Sequence, residues 1–258
     1  MKRSLSFASL ATCFCLVLAS LLGGCNEDPP PPTGETNPPA TTALDDDELV
    51  EAFYHLLSRR TPGMFQNQWL GIQTWQHPFD VWITQEIMAE TQPDVVLETG
   101  THKGGSALLW AMILENLPGD GRVLTIDIED RRVEKAIEHP LFQRRVDFLL
   151  GSSTAPAIVA EVKRRVQDKK VMVILDSLHK RDHVLEELRL YAPLVPKGGY
   201  VIVQDSTING HPYNPEYGPG PWEAIEDFLR TDDRFVSERS RERWLLTNNP
   251  TGFLKRVK

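Results

Sequence analysis

The clearest chemical signal in the sequence is a glycine-containing stretch at residues 98–106, which reads ETGTHKGGS. Glu98 opens it, Gly100 follows at once, and Gly104 and Ser106 precede an apolar run with helical spacing. Glycines let the backbone turn sharply and approach a ligand closely, and the N-terminus of the following helix favours negative charge. A dinucleotide-binding loop would begin with glycine, whereas a carboxylate here repels a pyrophosphate and suits a ligand with a positive amino group. The alternative is a tight strand-to-helix turn without a ligand.

Two further candidate ligand-binding positions follow predicted strands. Asp127 ends the strand RVLTID, and an acid at the end of the second strand of such a unit commonly binds both hydroxyls of a ribose. Ser152 lies in the turn GSS after the next short strand, where it could face the edge of an adenine. A solvated carboxylate and a plain turn are the respective alternatives.

A pair of acids ends the two most apolar predicted strands. Asp176 follows KVMVIL and Asp205 follows GYVIVQ, and the carboxyl ends of adjacent parallel strands open into one crevice. Two carboxylates that converge there suit Mg²⁺, with the amide oxygen of Gln204 as a further ligand. His179 and Lys180 come shortly after Asp176, and a histidine there would be a credible general base. Alternatively, the acids cap the helices that follow and His179 is a surface residue.

The elements that must position these residues alternate between strands and helices. Such alternation predicts a doubly wound α/β sheet with right-handed crossovers, and residues 234–257 predict a C-terminal antiparallel hairpin around a turn at residues 248–250. Predicted strands cover residues 94–98, 122–127, 146–150, 170–176 and 199–205, and predicted helices cover residues 45–57, 78–90, 105–117, 131–139, 155–167, 183–192 and 222–230. The loop at residues 206–221 is long and aromatic, and it either contacts substrate or connects two elements.

The N-terminal sequence indicates an export signal that is not part of the folded domain. Residues 1–24 combine Lys2 and Arg3 with an apolar stretch at residues 7–22, and LLGGC resembles a bacterial lipobox that would lipidate Cys25. Residues 25–44 are rich in proline and predict an extended tether, which leaves residues 45–258 as the folded domain. An uncleaved anchor helix or an accidental apolar N-terminus is the alternative.

Composition excludes several classes of protein. The 258 residues are 41% hydrophobic and 25% charged, as in a globular domain. A formal net charge of -8 makes a nucleic acid an unexpected partner. The three cysteines, Cys13, Cys15 and Cys25, all precede the predicted domain, so that domain has no disulfide, cysteine zinc site or cysteine nucleophile.

Four separated stretches together resemble the cephalosporin hydroxylase/rhamnosyl O-methyltransferase family. They are LETGTHKGGSALLW, the segment from VILDSLHK to KGGY, the segment from VIVQDSTING to WEAIEDF, and the earlier WLGI with QHPFD; the similarity spans about residues 69–257. The resemblance implies the fold of a class I S-adenosylmethionine-dependent methyltransferase. It implies that Glu98 and Gly100 hold the methionine part of the cofactor, that Asp127 holds its ribose, and that Asp176 and Asp205 bind the metal. Gln204 stands where the family often has an acid.

The function expected from this resemblance is methyl transfer from S-adenosylmethionine to a hydroxyl of a sugar, glycolipid or small metabolite, assisted by Mg²⁺. A cephalosporin-hydroxylase-like reaction is weaker, because the sequence offers no redox centre such as a 2-His-1-carboxylate cluster. A non-catalytic ligand-binding lipoprotein is the third reading, since an exported protein is separated from cytosolic S-adenosylmethionine. The expected location is the bacterial cell envelope, through lipidated Cys25, or the cytoplasm if the start site is misassigned. The sequence does not decide whether the protein forms a homo-oligomer.

Overall fold

The computed structural model describes residues 45–60 and 66–258. The predicted signal peptide, Cys25 and the proline-rich tether lie outside these residues. Within the described part of the chain, no helix combines the length and the apolar character needed to cross a bilayer.

Nine strands and eight helices make up the described fold. The strands are β1 Gln68–Trp69, β2 Ile72–Gln73, β3 Val95–Thr99, β4 Arg122–Asp127, β5 Val146–Leu150, β6 Val171–Leu175, β7 Tyr200–Val203, β8 Phe235–Ser237 and β9 Phe253–Arg256. The helices are α1 Asp46–Arg60, α2 Pro78–Thr91, α3 Gly105–Glu115, α4 Glu134–Ile137, α5 Pro140–Arg145, α6 Pro156–Arg165, α7 Arg181–Tyr191 and α8 Pro221–Thr231, with 3₁₀ turns at Ala192–Leu194 and Arg239–Glu242.

The central sheet has seven strands in the order β5-β4-β3-β6-β7-β9-β8. Neighbours from β5 to β7 pair in parallel, so the predicted doubly wound fold is confirmed. The chain builds outward from β3 to β5 and then returns to place β6 on the other side of β3. The carboxyl ends of β3 and β6 therefore form the point where the strand order reverses, which is where such sheets bind ligands.

Apolar clusters cover both faces of this sheet, which explains why its central strands read as unbroken apolar runs. Val95 and Leu97 join the cluster under α6, α7 and α8, while Val96 joins the cluster under α2, α3 and α5. All residues of β3, β6 and β7 are buried. A strand that is buried on both faces gives no alternation, so its sequence does not reveal which face each side chain meets.

The predicted C-terminal antiparallel pair is confirmed, with one difference in placement. β9 pairs antiparallel with both β7 and β8, so β9 lies inside the sheet and β8 forms its edge. Phe253 and Leu254 of β9 are fully buried. Phe253 joins the cluster under α2, α3 and α5, and Leu254 joins the cluster under α6, α7 and α8, so β9 is covered on both faces as an interior strand is.

The predicted helix at residues 131–139 is wrong in its extent. Only Glu134–Ile137 is helical, and a second helix, α5, begins at Pro140. Proline fits the first position of a helix, and the Nδ1 atom of His139 accepts a hydrogen bond from the backbone N–H of Leu141 at 3.2 Å. The start of α1 agrees with the sequence, because Asp45 and Glu48 bond each other's backbone N–H groups.

Candidate cofactor and cation site

A cavity of about 600 Å³ opens at the carboxyl ends of the parallel strands, where the strand order reverses. Its walls come from the loops after β3, β4, β5, β6 and β7, together with the segment before α2. Seven of the eleven residues that the sequence singles out line it: Gly100, Ser106, Asp127, Ser152, Asp176, His179 and Asp205.

Gly100 is required at the turn after β3 for a steric reason. Its φ is 93°, and a Cβ atom there would lie 1.8 Å from the backbone oxygen of Asp176. The ends of β3 and β6 therefore approach each other more closely than any side chain allows. Gly104 has a different role from the one predicted, because it does not line the cavity and instead caps α3 against Ala136 and Phe142.

Glu98 lies beneath the cavity and is absent from its lining. Its carboxylate accepts hydrogen bonds from Trp110 Nε1 at 2.9 Å and Thr125 Oγ1 at 2.6 Å, and Ser106 also bonds to it. Burial raises the pKa of Glu98 to about 7. Glu98 bonds to Ser106, which faces the cavity, and its own predicted contact with the cofactor stays a prediction.

Asp127 faces the cavity and also fixes the loop after β3. Its Oδ2 accepts hydrogen bonds from the backbone N–H groups of Thr101 at 3.1 Å and His102 at 2.8 Å, and Oδ1 accepts one from Glu129 at 3.1 Å. The carboxylate is therefore held by the backbone in one orientation. Ser152 lies after β5, at the neighbouring strand end, with its Oγ 3.2 Å from that of Thr154.

Asp176, His179 and Asp205 form one compact cluster in the cavity. His179 Nε2 lies 3.3 Å from Asp176 Oδ1 and 3.6 Å from Asp205 Oδ2, and one ligand atom from each residue lies within 4.8 Å of the others. Asp205 has a φ of 55°, and its backbone N–H donates to Asn249 Oδ1 at 3.2 Å. A left-handed backbone conformation such as that of Asp205 is uncommon for a residue other than glycine.

This cluster favours positive charge. Burial by itself lowers the pKa of His179, but the carboxylates of Asp205 and Asp176 outweigh burial and raise that pKa to about 9. Burial, together with Asp205, raises the pKa of Asp176. The two carboxylate oxygens fit a hard divalent cation, which would relieve the repulsion between the acids. The residues present therefore fit Mg²⁺, with Asp176 and Asp205 as its protein oxygens.

Gln204 reaches this cluster only through Gln76. The two amides form a reciprocal pair, with Gln204 Nε2 donating to Gln76 Oε1 at 2.8 Å and Gln76 Nε2 donating to Gln204 Oε1 at 2.9 Å. Gln76 Nε2 also donates to Asp176 Oδ2 at 3.0 Å. The amide oxygen of Gln204 thus faces Gln76 and not the carboxylate pair, which differs from the predicted metal ligand. Gln76 itself lines the cavity.

Lys180 is the fourth predicted residue that does not line the cavity. Its Nζ donates to the backbone oxygen of Tyr217 at 3.0 Å and lies 3.7 Å from the centre of that ring. The loop at residues 206–221 is also fixed to α8, where His211 stacks on Trp222 and Glu223 accepts bonds from the loop. No residue of this loop is among the described residues that line the cavity, so its contacts favour the connecting role.

The sequence patterns left out several lining residues that come from distant segments. Trp75 lies against His102, with 4.3 Å between the ring centres. His183 Nε2 lies 3.1 Å from Ser177 Oγ and 3.3 Å from Ser153 Oγ. Trp75 precedes α2 and His183 lies within α7, so no strand-end pattern marks them. The helical spacing of His183 and the buried Glu187, 3.3 Å apart, is the one local signal.

Comparisons with known proteins agree on one family. The family model described as rhamnosyl O-methyltransferase/CmcI matches residues 63–257. A rhamnosyl O-methyltransferase from Mycobacterium bovis is 41% identical over 195 residues, which cover 73% of this chain and 77% of that protein. A rhamnosyl O-methyltransferase from Mycobacterium leprae is 38% identical over 164 residues, covering 63% of this chain and 70% of that protein.

The solved structures of CmcI share the fold. The apo form has a TM-score of 0.59 at 17% identity, and a form with Mg and S-adenosylmethionine has a TM-score of 0.58 at 17% identity. Each covers 86% of this chain and 88% of the CmcI chain. At this identity the likeness concerns the fold alone, and it agrees with the doubly wound sheet described above.

Proposed function

This chain belongs to the rhamnosyl O-methyltransferase/CmcI family, and we propose that it transfers the methyl group of S-adenosylmethionine to a hydroxyl group of a sugar. The enzyme is an S-adenosylmethionine-dependent O-methyltransferase. One observation carries the proposal: a single cavity contains the Gly100 turn and Asp127 together with the Asp176–His179–Asp205 cluster. A transferase needs both a cofactor side and an acceptor side within reach of each other.

On the cofactor side, the turn at Gly100 allows the methionine part to lie against the backbone. Asp127 would accept hydrogen bonds from the ribose hydroxyls, since its carboxylate is already oriented by the loop after β3. Ser152 would lie near the adenine. Ser106, held by the buried Glu98, faces the same space. These residues bind and orient the cofactor and take no part in bond making.

On the acceptor side, Asp176 and Asp205 would hold the cation and His179 would take the proton of the acceptor hydroxyl. A bound Mg²⁺ would polarise that hydroxyl as a Lewis acid. The hydroxyl oxygen then forms a bond to the methyl carbon while the bond from that carbon to sulfur breaks, leaving S-adenosylhomocysteine. The two carboxylates keep His179 protonated while no cation is bound, and a cation held between them would lower the pKa of His179 so that its Nε2 could accept the proton. Gln76 and Gln204 keep Asp176 in place.

The test combines cofactor binding with turnover. S-adenosylmethionine at 100 times its Kd stabilises a protein by about 2.7 kcal/mol, so a clear rise in Tm is expected. Labelled methyl transfer should be measured on a panel of rhamnosides and other glycosides. His179→Ala should lower turnover and leave the cofactor affinity unchanged. Lys180→Ala, whose side chain lies outside the cavity, should retain the turnover of the wild type. A folded protein whose Tm does not respond to the cofactor would refute the proposal.

We further propose that the chain is anchored to a membrane of the bacterial cell envelope through lipidated Cys25, and that its acceptor is lipid-linked. The support is the lipobox-like LLGGC and the proline-rich segment after it. Labelled palmitate should be incorporated into the wild-type protein and not into Cys25→Ser. Equal labelling and equal fractionation of the two proteins would contradict the anchor.

A further inference from the structure

Three segments far apart in the sequence meet at Thr247. Tyr54 of α1 donates its hydroxyl to the backbone oxygen of Thr247, and the side chain of Thr247 bonds to Asp80 near the start of α2. The backbone N–H of Asn248 also donates to Asp80 at 2.8 Å. These contacts hold α1, the first turns of α2 and the segment before Thr247 side by side.

The outer surface of these three segments carries seven large exposed hydrophobic side chains, next to charged residues such as Glu51 and Arg59. We name it the Thr247 face. Its large hydrophobic side chains are 40% to 71% exposed, and they make up nearly half of the exposed large hydrophobic residues in the described part of the chain. They are Leu49, Phe53 and Leu56 of α1, Phe79 and Trp82 of α2, and Trp244 and Leu245. Exposed hydrophobic side chains concentrated on adjoining segments are typical of a site of interaction.

The Thr247 face is connected to the cavity by a short series of rings. Trp244 stacks on Phe79 with 6.1 Å between ring centres, and Phe79 contacts His77 edge-on at 5.4 Å. His77 is the neighbour of Gln76, which bonds to Asp176 in the cavity. The face therefore begins within a few residues of the catalytic cluster, on the side of the segment before α2.

We propose that the Thr247 face lies on the surface of a lipid bilayer. The described domain begins at Asp45, directly before α1, and the chain that precedes it contains the apolar stretch at residues 7–22 and Cys25. α1 contributes three exposed apolar side chains to the face, so the face includes the first helix that follows the predicted tether in the sequence. This inference rests on the anchoring proposed above, but not on methyl transfer.

The composition of the face agrees with a bilayer interface. Trp82 and Trp244 each combine an apolar ring with a polar N–H group, and tryptophan is enriched where a membrane meets water. Asp46, Asp47 and Glu48 lie in the first turn of α1, directly after Asp45. Anionic lipids would repel these acids, so the face fits a neutral headgroup layer of phosphatidylcholine type better than a strongly anionic one.

Tryptophan fluorescence of the full chain tests this inference. All six tryptophans lie in the folded domain and none in the N-terminal stretch, so the emission reports on the domain alone. The protein is reconstituted in phosphatidylcholine vesicles with and without doxyl-labelled phosphatidylcholine. We expect quenching in the wild type and loss of most of that quenched signal in W82F/W244F. Trp222→Phe, which replaces the indole stacked on His211 outside the Thr247 face, should leave the quenching unchanged.

A second variant separates docking from the reporters. Leu49→Ser with Leu245→Ser keeps both tryptophans and should reduce their quenching several-fold. No quenching in the wild type, or the same quenching in W82F/W244F, overturns the inference. A blue shift without vesicles that accompanies dimerisation in sedimentation also overturns it, because a second copy then covers the face. Palmitate labelling of Cys25 and the cofactor-dependent Tm give separate readouts of the anchor and the enzyme.

Discussion

Replacing Glu98 by Gln removes a charge from beneath the cavity and preserves the shape of the side chain. The carboxylate is only 1% exposed and is bonded to Trp110 and Thr125. An amide can accept the bond from Trp110 and donate to the hydroxyl of Thr125. The variant therefore isolates the free energy of holding a buried charge at this position.

The magnitude follows from the pKa. Burial raises the pKa of Glu98 from 4.5 to about 7, and one pKa unit corresponds to about 1.4 kcal/mol, which gives roughly 3 kcal/mol. The folded state binds this proton more tightly than the unfolded state. Glu98 therefore contributes most to stability below pH 4.5, and this contribution falls as the pH rises to about 7 and stays constant above it.

Urea unfolding of wild type and Glu98→Gln between pH 4.5 and pH 8 measures this effect. The wild type should lose stability over this range as Glu98 ionises, whereas the amide of the variant stays neutral. The free energy of unfolding of the variant minus that of wild type should therefore increase by about 3 kcal/mol between pH 4.5 and pH 8. Glu226→Gln, on the exposed side of α8, is the matched control and should show no comparable trend. The cofactor Kd of Glu98→Gln should stay within about twofold of wild type, because Glu98 lies outside the cavity lining.

Two results would refute this reasoning. If the difference in stability between wild type and Glu98→Gln does not change with pH, burial does not disfavour the ionised form of Glu98. A tenfold weaker cofactor affinity at unchanged stability would instead mean that Glu98 contacts the amino group directly, as the sequence resemblance implied.

Three further perturbations test the cavity. Asp127→Ala should weaken S-adenosylmethionine binding about 10- to 100-fold in calorimetry, since it removes hydrogen bonds to a charged acceptor; an unchanged Kd would exclude the ribose contact. Gly100→Ala should destabilise the fold by about 2–4 kcal/mol in urea unfolding, because its Cβ would lie 1.8 Å from a backbone oxygen; wild-type stability would contradict the close approach. Asp205→Asn should abolish the gain of about 1.4 kcal/mol expected from Mg²⁺ at ten times a millimolar Kd; a chelator without effect on wild type would remove the cation from the mechanism.

The sequence by itself determined the doubly wound sheet and the edge of the sheet that carries the site. Apolar runs that end in Asp127, Asp176 and Asp205 are sufficient for this, because parallel strands bring their carboxyl ends to the same edge. The turn at Gly100 could likewise be predicted, since a glycine directly after a buried strand marks a close approach of two backbones.

Only the tertiary structure decided which of these side chains face the cavity. Both faces of β3 are buried, so its sequence is the same whether Glu98 points to the ligand or to Trp110. Lys180 and His179 are adjacent in sequence, yet Lys180 lies on the ring of Tyr217 and His179 lies beside two carboxylates.

The sequence also could not show which side chains bond to the carboxylate of Asp176 and to Gln204, because these contacts join distant segments of the chain. Gln76 bonds to Asp176 and to Gln204, which are 100 and 128 positions away along the chain. Such pairs depend on the packing of α2 against the sheet, and no local propensity records that packing. The same holds for β9, which lies between β7 and β8 with Phe253 and Leu254 buried in the clusters on opposite faces of the sheet. Local pattern therefore fixes which strands form, and long-range packing fixes what each strand end contacts.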